Sequence, residues 1–90
     1  MIKTINLEAK ELLIRIALKL KNEEQAREFF NDLFSSAEVK DFSRRLLATK
    51  LLYDGKTFQE IAATLGMGPN TINKVYFKTR GSKILKNLLI

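Results

Sequence analysis

The 90-residue sequence contains no cysteine, no histidine and no tryptophan. Without cysteine there are no disulfides, thiolate nucleophiles or zinc–thiolate sites, and without histidine the commonest general base and transition-metal ligand are missing. The remaining acid–base candidates are scattered carboxylates, none paired with another beside a glycine-rich or apolar pocket motif. The sequence therefore predicts no catalytic residue, no metal site and no cofactor, and we expect a protein that is not an enzyme.

Proline and glycine are scarce, with one and four residues, whereas hydrophobic residues make up 46% of the chain. This composition is typical of a regular, packed fold, and we predict that residues 1–90 form a single domain. The N-terminal apolar run is broken every two or three residues, and no window has the length and hydropathy of a membrane span. We therefore expect no secretion signal, no membrane partner and a cytoplasmic location for this disulfide-free chain.

Acidic residues are absent from the last third of the sequence. Residues 61–90 contain five basic side chains and no carboxylate, in a chain whose net charge is +6. A solvated helix surface normally mixes both signs, so this segment indicates a polyanionic partner such as nucleic acid. The five basic residues are Lys74, Lys78, Arg80, Lys83 and Lys86.

Apolar residues recur at three- and four-residue steps along the chain, and no segment alternates convincingly with period two. The pattern predicts an all-α fold of six short helices, with N-caps at Asn22, Thr57 and Ser82 and a stop at Gly55. The first helix is expected from near Asn6 to Leu20, the second from Asn22 to before Ser35, and the third over residues 36–53. The fourth is expected over 58–65, the fifth from Pro69 to about Arg80, and the sixth over 83–89. We assign residues 1–55 to core and dimerisation helices, 57–80 to a helix-turn-helix, and 82–90 to a C-terminal helix.

The apolar stripes of these helices exceed what one small domain can bury. We therefore expect a homodimer, because large exposed apolar patches usually mark interfaces. In the first helix, Glu8 and Glu11 are expected in the early turns. The expected apolar faces of the first three helices are Leu7, Leu12, Leu13, Ile16, Ala17 and Leu20; then Ala26, Phe29, Phe30 and Leu33; then Val39, Phe42, Leu46, Leu47, Leu51 and Leu52.

The segment from Phe58 to Phe77 has the spacing of a helix-turn-helix. Ala62 is small where the second helix must cross the first, and Gly66 follows where a tight turn favours a left-handed backbone. Met67 is expected as an apolar plug under the turn. Four further apolar residues are predicted to face each other across the two helices: Ile61, Leu65, Ile72 and Val75.

With Ile72, Val75 and Thr79 facing inward, the opposite face of the second helix is polar and basic. Asparagine can bridge adenine N6 and N7, lysine can donate to guanine, and threonine can contact a thymine methyl group or a phosphate. We therefore predict that this helix enters the major groove of double-stranded DNA. Phe77 is also outward, where it would either contact sugars or join a dimer interface. The predicted recognition helix is 69–80, and the predicted contact residues are Gln59, Pro69, Asn70, Thr71, Asn73, Lys74, Lys78, Arg80 and Lys83.

These motifs resemble the Trp repressor-like family of bacterial transcription regulators. The similarity extends from about Asn31 to Lys83 and is strongest in Leu65-Gly66-x-Gly68-x-x-Thr71-Ile72, with Leu51-Leu52 and Arg44 also matching. The resemblance implies an all-helical homodimer with interlocked N-terminal helices and one helix-turn-helix in each chain. The recognition residues that it implies are Gln59, Pro69, Asn70, Thr71, Asn73, Lys74 and Arg80.

The same resemblance implies a tryptophan pocket of which this chain keeps only a part. Arg44 matches, but Lys74 stands in place of a second arginine, Val75 in place of a glycine, and Phe34 near the position of a threonine. Lysine cannot stack as a flat guanidinium does, and the branched valine would occupy the place of the indole ring. We therefore expect that the protein does not bind tryptophan. The sequence leaves open whether another small molecule acts as an effector.

Three functions remain open from the sequence. The first is a dimeric, sequence-specific DNA-binding regulator, most simply a repressor that acts by occlusion. The second is a promoter-recognition domain similar to the last region of a sigma factor, although the first fifty residues carry enough apolar surface for a core of their own. The third is a helical protein-interaction module whose basic face meets an acidic partner.

Overall fold

The computed structural model describes residues 2–90, with side chains from residue 4 onward. This range contains six α-helices and no strand, which confirms the predicted all-α fold class. The helices are α1 (Ile2–Ala17), α2 (Glu23–Leu33), α3 (Ser36–Tyr53), α4 (Phe58–Leu65), α5 (Pro69–Thr79) and α6 (Lys83–Leu89).

The chain divides into two compact units, Met1–Ser36 and Ala37–Ile90. The first unit contains α1 and α2, and the second contains nearly all of α3 together with α4, α5 and α6. The organisation as a single domain, and the assignment of dimerisation to residues 1–55 and of the helix-turn-helix to residues 57–80, stay predictions.

Helix α1 begins at Ile2, so the predicted start near Asn6 is wrong. Neither proline nor glycine precedes Asn6, and the backbone therefore contains nothing that prevents the helix from extending toward the N-terminus. The first turn consequently has no acidic residue, and Glu8 and Glu11 lie in later turns. The helix also ends earlier than predicted, at Ala17.

Asn22 caps α2 as predicted. Its Oδ1 accepts a hydrogen bond from the backbone N–H of Gln25 at 2.9 Å. The side-chain oxygen of Gln25 in turn accepts from the backbone N–H of Lys21 at 2.9 Å. The first bond satisfies a backbone donor that the helix start leaves without an intrahelical partner, and the second ties the residue before the cap to the first turn.

Apolar side chains of the first unit form an open face rather than a closed core. The rings of Phe29, Phe30 and Phe34 cluster with centroid distances of 5.5, 5.8 and 6.5 Å. No residue of α2 is buried, however, because a pair of helices cannot cover every side chain of its own apolar stripes. Six residues of the expected apolar faces are exposed in the single chain: Leu7, Leu12, Leu13, Ala17, Phe30 and Leu33.

The core of the second unit consists of Ala48, Ile61, Ile72 and Val75, each at most 3% exposed. Three of these residues belong to the predicted interior of the helix-turn-helix, and their burial confirms that prediction. Partly buried apolar side chains pack around this core: Leu51, Leu52, Phe58, Ala62, Leu65 and Met67.

Helix α3 buries only part of the face predicted for it, with Val39, Leu51 and Leu52 half-buried. Phe42, Leu46 and Leu47 are exposed, whereas Ala48 and Thr49 are buried. Small side chains allow close approach of the helix to the core, and Thr49 Oγ1 donates to the carbonyl one turn earlier at 2.9 Å. That bond removes the cost of burying an unpaired hydroxyl. Apolar periodicity alone did not reveal this face, because both buried residues are small or polar.

Two contacts fix the end of α3. Gly55 has φ 85°, and its N–H donates to the carbonyl of Leu52 at 3.1 Å. The N–H of Lys56 donates to the carbonyl of Leu51 at 3.0 Å. This is the Schellman arrangement that left-handed glycine allows. The phenolic hydroxyl of Tyr53 donates to the carbonyl of Thr79 at 2.5 Å, so the ends of α3 and α5 are joined.

Candidate nucleic-acid interface

The geometry of the turn between α4 and α5 follows from the residues at the helix ends. Thr57 Oγ1 accepts from the N–H of Glu60 at 3.1 Å and so caps the start of α4. Gly66 ends α4 in the left-handed conformation, with φ 64° and its N–H donating four residues back at 2.8 Å. Gly68 is extended, and Pro69 begins α5. All these features agree with the sequence prediction.

The inner face of α5 is anchored in the core. Ile72 and Val75 are buried, and Thr79 is buried with its Oγ1 donating to the carbonyl of Val75 at 2.7 Å. Tyr76 is half-buried, and its ring lies 5.5 Å from that of Phe58 in an edge-to-face arrangement. Because this face is fixed, the rotation of α5 and the identity of its outward residues are fixed with it.

The opposite face of α5 is polar and basic, with one aromatic ring. Asn70, Asn73, Lys74 and Phe77 stand at positions i, i+3, i+4 and i+7, so they share one side of the helix, here called the outer stripe. The first turn of α5 has no acidic residue. All nine residues predicted to contact DNA are exposed: Gln59, Pro69, Asn70, Thr71, Asn73, Lys74, Lys78, Arg80 and Lys83.

The predicted contact residues do not all lie on one helix. Gln59 belongs to the first turn of α4, Arg80 is the C-cap of α5, and Lys83 is the first residue of α6. Ser82 Oγ accepts from the N–H of Leu85 at 3.2 Å, and so α6 starts afresh after the break at Gly81. The predicted contact residues of α5 are therefore preceded in the chain by Gln59 on α4 and followed by Lys83 on α6.

The basic side chains near α5 are not neutralised from within their own segment. Ion pairs join Arg27 with Glu23 and Lys50 with Asp54, the latter at 3.1 Å, and both pairs lie outside residues 61–90. Since residues 61–90 contain no carboxylate, their five positive charges add to one another. Such a surface attracts a polyanion and repels a second copy of itself.

Arg80 stacks on two aromatic rings at the end of α5, a contact that the sequence analysis missed. Its guanidinium carbon lies 5.0 Å from the centroid of Phe77 and 5.8 Å from that of Tyr76. The two rings are 5.3 Å apart and nearly perpendicular, at 71°. The spacing of these residues, three and four positions apart in a helix, is the signal that could have revealed the cluster.

Arg44, which the family resemblance assigns to a tryptophan pocket, lies against the turn. Its guanidinium donates to the carbonyl of Leu65, the last residue of α4. An adjacent open cavity of about 330 Å³ has mixed polar and apolar walls, and Lys74 and Val75 do not line it. Val75 belongs to the core and Lys74 to the outer stripe. The cavity is lined by Asp41, Arg44, Arg45, Gly66, Met67, Gly68 and Thr71.

Over residues 2–90, no helix combines the length and the hydropathy that a membrane crossing requires. In the same range, no three His, Cys, Asp or Glu side chains are grouped as metal ligands.

Comparison with known proteins adds independent evidence. The sequence model of the family described as Trp repressor protein matches residues 8–88, nearly the whole chain. The chain is also 34% identical over 71 residues to the uncharacterised protein YerC of Bacillus subtilis (strain 168). The aligned region covers 77% of this chain and 68% of YerC. No solved structure matches the chain.

Proposed function

Because the chain belongs to the Trp repressor family of helix-turn-helix regulators, we propose that it binds double-stranded DNA sequence-specifically and regulates transcription. The observation that carries the proposal is the outer stripe of α5. It is exposed, polar and basic, it is held by a buried opposite face, and it lies in a segment without any acid. A major-groove helix has these properties because it needs a rigid mount and hydrogen-bonding groups that do not repel phosphate.

The proposed mechanism separates base contacts from backbone contacts. Asn70 and Asn73 offer amides that can pair with the N6 and N7 atoms of adenine, and Lys74 can donate to guanine O6 and N7. The start of α5 at Pro69 approaches the groove with the positive end of the helix dipole, where Thr71 adds a hydroxyl. The phosphate contacts are assigned to Gln59, Lys78, Arg80 and Lys83.

The active species in this proposal is a homodimer. Apolar side chains are exposed along α1 and α2, and α6 adds Ile84 and Leu88, which are 64% and 72% exposed. Exposed apolar faces usually mark an interface, and in the proposed dimer a second copy of the chain supplies the complementary surface. A two-fold dimer presents two recognition helices about 34 Å apart, one turn of DNA, and therefore selects a near-palindromic site.

Regulation is proposed to be repression by occupying a promoter, in the cytoplasm where bacterial DNA lies. Tryptophan is not proposed as the effector, because Val75 is part of the core and Arg44 bonds to the turn. Another small molecule at the cavity beside Arg45 and Thr71 would be compatible with this mechanism.

Selection of binding sites from random oligonucleotides by the pure protein, followed by sequencing, tests the proposal. We expect an enriched motif with two-fold symmetry and half-sites one helical turn apart. Sedimentation at micromolar concentration should give the mass of a dimer. Enrichment of no sequence, together with binding to an acidic protein, would favour a protein-interaction module, and an asymmetric motif bound by a monomer would favour a promoter-recognition domain.

A further inference from the structure

Phe77 is an unusual member of the outer stripe of α5, because it is large, apolar and 63% exposed. It follows Asn70, Asn73 and Lys74 on the same side of the helix, and it takes no part in the core. On a face otherwise built of amides and ammonium groups, the exposed ring of Phe77 offers an aromatic, apolar surface to whatever this face binds.

Contacts with neighbouring side chains restrict the ring of Phe77, although most of its surface is exposed. The guanidinium carbon of Arg80 lies 5.0 Å from its centroid, and the ring of Tyr76 contacts it edge-on at 5.3 Å. Tyr76 is in turn held by Phe58, 5.5 Å away. A side chain that is ordered before binding loses less entropy when it binds, so this arrangement favours use of the exposed ring surface in recognition.

The charges around Phe77 decide between two partners. Lys74, Lys78 and Arg80 are all exposed, stand within three residues of it, and have no carboxylate in their segment. A two-fold contact between copies of this chain through Phe77 would bring these positive charges together, which is unfavourable. A polyanion is attracted by the same charges, and the major groove of DNA has an apolar group in the C5-methyl of thymine.

We propose that Phe77 contacts a thymine methyl group and is a specificity-determining residue of the DNA binding proposed above, on which this inference rests. Asn70 and Phe77 are seven residues apart, which is about 10 Å along a helix axis. This length corresponds to about three base-pair steps of 3.4 Å each. The thymine therefore lies about three base pairs from the base that Asn70 contacts, toward the end of the half-site at which α5 ends.

The test uses the duplex selected from the random pool and a set of duplexes in which 2′-deoxyuridine replaces each thymidine in turn. This replacement removes only the methyl group. We expect one position in each half-site at which affinity falls about fourfold, the value of one buried methyl-sized contact. Phe77→Ala should bind the thymidine and deoxyuridine duplexes equally, and Phe77→Leu should keep part of the difference. Asn73→Ala, a change on the same stripe, is the matched control and should keep the methyl effect.

Each remaining outcome overturns the contact. If Phe77→Ala weakens binding but the fourfold methyl effect persists, the ring only positions Arg80. If Phe77→Ala changes the sedimentation mass, the ring belongs to an interface between chains. If an enriched site is found but no deoxyuridine replacement weakens binding, this contact is wrong while the proposed function stands. If no sequence is enriched, the proposed function fails and the contact fails with it.

Discussion

Ile72 and Asn73 are adjacent in α5 and have opposite environments, because each step along a helix rotates the side chain by about 100°. Ile72 is fully buried in the core of the second unit, whereas Asn73 is exposed on the outer stripe. Substitutions at these two consecutive positions therefore separate effects on the free energy of unfolding from effects on the proposed DNA binding.

Ile72→Ala should destabilise the protein by about 2–5 kcal/mol, since it leaves a cavity where a fully buried side chain was removed. Urea denaturation of the variant and of the unaltered protein measures this difference. Asn73→Ala is the control and should change the free energy of unfolding by no more than about 0.5 kcal/mol, because its side chain is exposed. Equal unfolding midpoints for all three proteins would show that Ile72 is not a core residue.

Asn73→Ala should weaken binding to the selected site by about 1–3 kcal/mol per half-site and binding to random DNA much less, because a base contact carries sequence information. Lys83→Ala should instead weaken binding to both DNAs alike, because the side chain lies beyond the break at Gly81 and is assigned to the backbone. Titration of each variant with both duplexes gives the two ratios. An unchanged ratio of specific to random binding for Asn73→Ala would contradict the assignment of the reading face.

At the scale of elements, the turn between α4 and α5 contains two glycines with different requirements. Gly66 has φ 64°, a left-handed conformation that side chains disfavour, although the nearest atom to an added Cβ would be the Arg44 guanidinium at 3.6 Å. Gly68 has φ −71°, and an added Cβ would meet nothing within 4 Å. Backbone strain is therefore expected at the first glycine and not at the second.

Gly66→Ala should cost about 1–2 kcal/mol of stability, the usual penalty of a left-handed backbone with a side chain. Gly68→Ala is the matched control and should cost less than Gly66→Ala, because φ −71° suits alanine and the restricted unfolded chain offsets part of the loss of glycine at this N-cap. Thermal unfolding of both variants measures the difference. Equal destabilisation by the two substitutions would refute the argument that conformation, rather than space, requires glycine at Gly66.

At the scale of the whole molecule, charge is concentrated toward the C-terminal end. The net charge is +6, and residues 61–90 contribute five positive and no negative charges. The proposed dimer would bring two such segments to one DNA duplex, and binding would then release counterions from the phosphates that they neutralise.

The affinity for DNA should therefore fall steeply with salt. If each chain neutralises three to five phosphates, the plot of log affinity against log salt has a slope of about −5 to −9 for a dimer. Lys83→Ala should reduce the magnitude of this slope by about one unit for each chain. Titrations at several salt concentrations measure both values. A slope near zero would argue against a DNA partner and in favour of a protein one.

The sequence by itself determined the number of helices, most of their ends and the outward face of α5. The caps at Asn22 and Thr57, and glycine at Gly55 and Gly66, end or begin helices through hydrogen bonds and dihedral angles of the nearest few residues. Apolar spacing also identified Ile72 and Val75 as inward, from which the outer stripe follows. Such features are local, and a sequence pattern records them directly.

Only the tertiary structure decided that Ala48 and Thr49 are the buried residues of α3 and that Tyr53 holds the end of α5. Ala48 and Thr49 become core because small side chains permit close approach, and Tyr53 finds the carbonyl of Thr79 across 26 residues of sequence. Whether an apolar stripe is covered depends on the elements packed against it, and no spacing rule contains that information. Leu47 in α3 has the periodicity of a core residue and yet is exposed for this reason.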